Sequence, residues 1–240
     1  MSERAWKSNA QSVFSPVDEG LIAGSESPQT RSFFAKRLFD FVVSLCGLVV
    51  LAPVFLIISI VIKAKYPSVP VLFANPVVGK NGRPFRMWKF STMVPDAHII
   101  LADLLEGNEA LRNEWNENVK LQYDPRILPG VGDFLRRSSL NELPQLYNVL
   151  IGDMSLVGPR PITKAEEDHY IRIGGIGILA RRHSQRPGIT GLWQATGRSD
   201  VSYEERIVLD NAYLRSQSFG FDLKILWWTV RKVISRKGAF

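Results

Sequence analysis

Cysteine is almost absent: Cys46 is the single one in 240 residues, which excludes an intrachain disulfide framework and a multi-cysteine metal site and suits a reducing compartment. Cys46 lies inside an apolar run and reads as a small buried hydrophobe. Histidines are also few, and His98, His169 and His183 have no ligand spacing to one another. They read as surface or core residues. There is no internal repeat, no Rossmann glycine pattern and no Walker loop, which disfavours an ordinary kinase or dehydrogenase. Acidic residues are in the minority, 23 against 30 Lys and Arg, for a net charge of +7. That surplus favours an anionic partner such as acidic lipid, a phosphorylated substrate or nucleic acid, without choosing among them.

What is present is enough apolar residue, 45%, to bury a core. Residues 1–33 hold seven serines, two prolines and mixed charge without apolar periodicity, the pattern of a flexible tail. The apolar run that follows begins too late for a secretory signal and has no small-residue cleavage site after it. From Phe41 to Ile62 there is no charge for 22 residues, about 33 Å of helix at about 1.5 Å per residue, and the segment is expected in lipid. Pro53 interrupts it, and Lys36, Arg37, Lys63 and Lys65 flank both ends. Two readings stand: a bent segment with both ends on the cytoplasmic side, or a kinked crossing helix.

At the far end Leu223, Leu226, Trp227, Val230, Val233 and Ile234 recur at helical spacing among Arg231, Lys232, Arg236 and Lys237. This predicts a helix lying in a membrane interface or packed on the core. Between the two ends, Leu101, Leu104 and Leu105 before Gly107 predict a short helix. Val69–Phe73 and Phe85–Phe90 around Lys80-Asn81-Gly82 predict a hairpin.

The densest stretch runs from Asp124 to Pro161, where Arg126, Arg136, Arg137 and Arg160 fall on turns and near helix starts. Guanidinium forks beside free backbone N–H groups suit phosphate. Gly158-Pro159-Arg160-Pro161 is a rigid loop that makes Arg160 the best single phosphate ligand, against a reading in which it pairs with a carboxylate and pins the loop. Ser139 and Glu142 are spaced as a capping box. A second turn-rich stretch, Arg186-Pro187-Gly188, Thr190-Gly191, Trp193-Gln194 and Gly197-Arg198, has polar and cationic tips, of the kind that carry binding residues.

These blocks resemble a known family. KRLFD at 36–40, the Pro-broken apolar run, Lys89-Phe90 with Thr92-Met93, SL-ELPQL--VL-GDMSLVGPRP at 139–161, RPGITGLWQ at 186–194 and Gly197-Arg198 look like the bacterial sugar transferases, the monotopic phosphoglycosyl transferases. The resemblance covers about residues 34–240. It implies a re-entrant membrane helix over 34–66 broken at Pro53, and an α/β domain with interfacial helices over 67–240 on the cytoplasmic face of the bacterial inner membrane. The short N-terminal tail looks like the compact members that initiate exopolysaccharide synthesis, without the extra transmembrane helices of longer forms. In that family an Asp-Glu dyad works with Mg²⁺. The Asp attacks the β-phosphate of a UDP-sugar, UMP leaves, and polyprenyl phosphate takes the phosphosugar.

By that resemblance the catalytic pair here is Asn141-Glu142, with Glu142 the possible metal ligand. Lys89, Arg126, Arg136, Arg137, Arg160, Gln194 and Arg198 contact substrate. Three positions depart from the family pattern: Asn141 replaces the nucleophilic Asp, Ser91 stands where Arg or Lys is usual, and Asn75-Pro76-Val77-Val78 lacks an Arg often found before Gly79. A carboxamide is a far poorer nucleophile than a carboxylate. Three readings follow: a transferase using Glu142 or direct attack by the lipid phosphate; an inactive relative that binds substrate, or regulates or scaffolds an active partner; or an engineered Asn141, which leaves Ser91 and Val77 unexplained. A basic nucleic-acid-binding domain is the alternative outside this class, and it leaves the uncharged run without a role.

Overall fold

The computed structural model describes residues 29–118, 121–196 and 202–235. Residues 1–28, the bulk of the expected tail, lie outside them, as does Arg198. Two helices open the fold, α1 (Gln29–Val50) and α2 (Ala52–Lys65). Pro53 occupies the first turn of α2, where its missing N–H has no intrahelical partner to lose, so the uncharged run folds as two helices joined at Leu51 and not as one. Among the described residues no single helix is long and apolar enough to cross a membrane. Phe34–Val50 and Ala52–Lys65 together are, with a bend of 57° between them.

Leu38, Val42, Leu45, Val49, Leu56, Ile57 and Ile60 all face outward on this pair. Cys46 is exposed there too, contrary to its reading as a buried hydrophobe, because the apolar run has an outer face. Only one side is anchored. Gly47 lets α1 approach Leu146, whose Cδ1 would stand 3.2 Å from an added Cβ, while Ile58 and Ile62 of α2 pack with Val69, Phe90, Leu128, Val131 and Leu135.

The hairpin forms from β1 (Leu72–Val78) and β2 (Pro84–Phe90), antiparallel, with Leu72 opposite Phe90 and Val78 opposite Pro84. Asn81 and Gly82 both take positive φ, 58° and 71°, which matches the twist of a tight hairpin. The first strand starts later than the sequence suggests, because Pro67 and Pro70 cannot donate to a ladder; Val69 is a core residue before it. Helices α3 (Ala97–Gly107), α4 (Glu109–Asn118) and α5 (Val131–Arg137) follow, then a 3₁₀ turn at Leu140–Glu142 and α6 (Gln145–Ile151).

Strand β3 (Ser155–Val157) pairs in parallel with β4 (Gly188–Thr190), across the long α7 (Glu167–His183). Helices α8 (Leu192–Thr196), α9 (Tyr203–Ser216) and α10 (Phe219–Ser235) complete a small mixed helix-and-strand domain. Its main core joins Val77, Met87, Val149, Met154, Leu156, Val157, Leu192, Tyr213 and Ile225.

The β3–β4 pair leaves no room for a side chain at Gly188. A Cβ on Gly188 would lie 2.1 Å from the Gly158 amide nitrogen, backbone that cannot yield. Gly188→Ala is expected to cost about 3 kcal/mol, at the upper end of overpacking penalties, read as a lowered midpoint in chemical denaturation.

Helix α10 packs on the core, one of the two expectations for the C-terminal stripe, and does so largely through a face that the spacing did not mark. Phe221, Ile225, Leu226 and Trp228 pack on the core, whereas Leu223, Trp227 and Val230 face outward. The stripe chosen by spacing is mostly the outer face; Phe221 and Ile225, which it omitted, anchor the helix. Val233 and Ile234 lie in the last turn, where side chains are outside the described set.

Candidate active site

Lys89, near the end of β2, and Glu142, in the 3₁₀ turn after α5, come together across 53 residues of sequence. Lys89 Nζ lies 3.0 Å from Glu142 Oε1, with both side chains partly exposed. The capping box expected of Ser139 and Glu142 does not form. Ser139 takes φ 58° and its hydroxyl caps nothing, so Glu142 is released toward Lys89. A non-glycine residue in that conformation is uncommon and tends to mark a shaped site. Asn141, half-buried, lies between the two in sequence and shares the turn.

Arg136, at the end of α5, donates from Nε to Thr92 Oγ1 at 2.9 Å. Burial lowers its pKa, while the carboxylates of Asp124 and Glu142 act against that shift and Arg126 adds to it. Arg136 therefore belongs to the same charged group as Glu142.

Arg126 is committed elsewhere. Its Nε and Nη2 hold Asp124 Oδ1 and Oδ2 at 2.7 and 2.6 Å, and the guanidinium lies 5.4 Å from the Trp115 ring centre. Burial alone would raise the Asp124 pKa, but the hydrogen bonds and charge of Arg126 hold it below the ordinary carboxylate value. The fork expected for phosphate is thus filled by Asp124, and Arg126 braces the loop. Arg137 is exposed. Ser91 is buried, and Val77 and Val78 are core residues, so two positions where a cation was expected from the family pattern are part of the packing.

A second cationic group forms around Trp193 of α8. The guanidinium carbons of Arg160 and Arg206 stand 5.4 and 4.9 Å from the same indole centre. Arg160 is held by its backbone, not by its side chain. Its amide donates to Asp210 Oδ2 at 3.2 Å, and its carbonyl accepts from Arg182. The guanidinium makes no hydrogen bond or ion pair with the described residues, so the reading in which Arg160 pins the loop through a carboxylate is replaced by a backbone clamp that leaves the fork available. Burial lowers the Arg206 pKa and the charge of Arg160 lowers it further: two cations crowd one aromatic plane. Gln194 is nearby in sequence, its Oε1 buried without a hydrogen-bond partner among the described residues.

Lys89 and Glu142 are not in contact with this second group. Ile162, two residues past Arg160, bridges Val78, whereas Lys89 pairs with Phe73. Five residues of strand separate those points, about 17 Å at about 3.3 Å per residue. The sequence reading missed Arg206, Arg182 and Asp210, each on a helix whose apolar spacing drew no attention to its polar members.

Asp210 is 1% exposed, and burial raises its pKa to about 6, a shift that Arg182, the Tyr170 hydroxyl and the Arg160 amide oppose. Between about pH 4 and pH 6 the folded chain holds a proton that the unfolded chain releases. Stability therefore falls as pH rises through that window, by roughly 3 kcal/mol at about 1.4 kcal/mol per unit. Asp210→Asn, which keeps an acceptor for Arg160, is expected to flatten this segment of the profile in urea titrations run on both sides of the window.

The described residues contain no group of three carboxylate, histidine or cysteine side chains able to hold a metal ion. Mg²⁺ commonly binds through one or two carboxylates plus substrate phosphates. Glu142, with the Asn141 amide oxygen in the same turn, fits an ion arriving on a diphosphate and does not fit a closed resident site.

A family model described as bacterial sugar transferase matches residues 31–236. The chain belongs to the bacterial sugar transferase family. It is 41% identical over 209 residues to the undecaprenyl-phosphate galactose phosphotransferase of Salmonella typhimurium, covering 87% of this chain and 42% of that protein. It is 37% identical over 236 residues to the exopolysaccharide production protein ExoY of Rhizobium meliloti, covering 98% and 99%. Against the UDP-glucose:undecaprenyl-phosphate glucose-1-phosphate transferase of Escherichia coli K12 it is 36% identical, covering 85% and 41%. The chain thus spans under half the length of the two phosphotransferases and nearly all of ExoY.

Proposed function

We propose that the chain moves hexose 1-phosphate from a UDP-hexose to polyprenyl (undecaprenyl) phosphate at the cytoplasmic face of the bacterial inner membrane, initiating exopolysaccharide synthesis. The observation that carries this is the Arg160–Trp193–Arg206 group, where a guanidinium fork with no hydrogen bond among the described residues and a second cation share an aromatic plane in a chain of this family. Two cations beside a π surface suit the base and first phosphate of a UDP-hexose, with its second phosphate extending toward Lys89 and Glu142. The bent pair α1–α2, with its outward apolar face, acts as a re-entrant anchor, and Leu223, Trp227 and Val230 of α10 rest in the interface.

Asn141 cannot form the covalent intermediate of an Asp nucleophile, and the Glu142 carboxylate is engaged by Lys89. In this reading an oxygen of the lipid phosphate attacks the β-phosphorus directly. The bond from that phosphorus to the bridging oxygen breaks, UMP leaves, and a polyprenyl diphosphate-linked hexose forms. Lys89 and Arg136 neutralise charge in the 3₁₀ turn region. Glu142, with the Asn141 amide oxygen, would be the protein's contribution to holding Mg²⁺, which when bound would supply electrostatic stabilisation of the transferring group.

The second reading, a relative that binds substrate or regulates or scaffolds an active partner, is favoured by Asn141 together with the buried Ser91 and Val77, which stand where the family pattern has cations. Transfer of labelled hexose phosphate from UDP-glucose or UDP-galactose to undecaprenyl phosphate by the purified chain decides between them. Lipid-linked product is expected; bound UDP without product would establish the second reading.

A further inference from the structure

A cavity of about 140 Å³ lies at the base of α1, lined by Lys36, Arg37, Lys80 and Arg186, with Asp40 and the amide of Gln185. Four cations meet there from three separate parts of the chain. Their neutralisation by protein is incomplete. Lys36 Nζ pairs with Asp222 Oδ2 at 2.6 Å. Asp40 is spent, its oxygens accepting from Ser155 Oγ at 2.7 Å and the Leu156 amide at 3.1 Å.

Among the described residues Arg37 donates only to neutral carbonyls, Nη1 to Val149 at 2.6 Å and Nη2 to Leu150 at 2.8 Å, and each of those nitrogens carries a second N–H. Arg186 uses Nε on the Gly152 carbonyl at 2.7 Å, leaving both Nη groups without a partner among the described residues. Lys80 is exposed in the hairpin turn. Positive charge thus exceeds negative charge around a concave space to which charged and amide-bearing residues contribute.

We infer that this cavity is a binding pocket for a phosphate group, separate from the transferase site. The volume is several times the roughly 10–15 Å³ that one water needs, and a phosphate has five heavy atoms. Unused guanidinium N–H groups converging with an ammonium are the donor set that phosphate takes. None of the lining residues belongs to the Lys89–Glu142 turn or to the Arg160–Trp193–Arg206 group. Lys36 and Arg37 precede the uncharged run at Phe41 by about one helical turn, about 6 Å of rise. Under the membrane reading proposed above, that is headgroup depth. The phosphate is accordingly that of an anionic phospholipid headgroup or a free phosphate ion, and the two sources share the same chemistry.

The test uses the full chain in neutral detergent, with Arg160→Ala as background so that phosphate binding at the transferase site is weakened. Equilibrium dialysis with labelled inorganic phosphate is expected to show saturable binding at low ionic strength. Lys80→Gln, which removes no hydrogen bond among the described residues, should weaken it about fivefold, and Lys80→Gln with Arg186→Gln by more than about tenfold, the scale of one lost charged contact per step. Arg186→Lys, which keeps the charge, should recover part of the loss.

Phosphatidylglycerol, but not phosphatidylcholine, added to the micelles should displace phosphate if the lipid headgroup is the occupant. Displacement by neither, with binding still dependent on Lys80 and Arg186, assigns the pocket to free phosphate. Binding unchanged by these substitutions, or no binding of phosphate or phosphatidylglycerol, overturns the proposal. Because no turnover is read, failure here leaves the transfer assay to judge the transferase reading, and the reverse.

Discussion

Asn141→Asp is expected to raise transfer of hexose phosphate by at least about a hundredfold and to change the route, since a positioned carboxylate nucleophile divides one difficult displacement into two easier ones. The turn is already shaped for it. Ser139 holds its left-handed conformation, Lys89 holds Glu142 at 3.0 Å, and Arg136 contributes positive charge from α5. Exchanging a carboxamide for a carboxylate changes no side-chain volume to speak of and adds one negative charge. That charge comes next to Glu142, and two close carboxylates repel unless a cation intervenes, so the gain should require Mg²⁺. The route is read separately from the rate. Incubated with UDP-hexose labelled in the β-phosphate and no lipid acceptor, Asn141→Asp should retain label on the protein, whereas the unaltered chain should retain none while still forming lipid product. Label trapped on the unaltered chain would overturn direct attack and return the nucleophile to Glu142. No activation in Asn141→Asp would show that the buried Ser91 and the core Val77, in place of cations, also limit the site.

How much of this was legible in the sequence depended on range. Local signals survived: Lys80-Asn81-Gly82 turns the hairpin through two positive φ values, and Pro53 divides the apolar run at the first turn of a helix. Signals needing a distant partner did not. Ser139 and Glu142 have capping-box spacing, yet the partner of Glu142 is Lys89, and nothing in the local pattern records that Ser139 turns left-handed. Arg126 is the opposite case: Asp124 stands two residues away, close enough that the pairing filling its fork could have been anticipated. In α10 the spacing found a stripe but not which side of it meets the core, because Asp222 and Thr229 lie on the inner face among Phe221, Ile225 and Trp228. Asp222 bonds Lys36 and Tyr213, and a reading that counts only apolar residues cannot assign a buried carboxylate to the inside. Asp210 and Arg182 escaped notice for the same reason.

Arg160→Ala is expected to lower kcat/KM for the UDP-hexose by about a hundredfold, roughly 2.7 kcal/mol of transition-state stabilisation, while leaving the fold nearly intact. The two effects separate because the loop is fixed through the main chain. Asp210 holds the Arg160 amide, Arg182 holds its carbonyl, and Pro159 and Pro161 restrict the backbone on either side, all of which survive truncation of the side chain. The stability lost should be the cation–π contact with Trp193, about 0.5–1 kcal/mol, and part of that should return as relief of repulsion from Arg206. Arg160→Lys retains the charge without the fork and should recover activity only in part. The measurement that isolates binding is the thermal shift on adding UDP. A ligand at about 100 times its Kd stabilises by about 2.7 kcal/mol, so the unaltered chain should shift clearly, and Arg160→Ala at the same concentration should shift little despite a similar ligand-free midpoint. A full UDP shift in Arg160→Ala would move the nucleotide away from Trp193 and leave the turn of Lys89, Asn141 and Glu142 as the place to look for it.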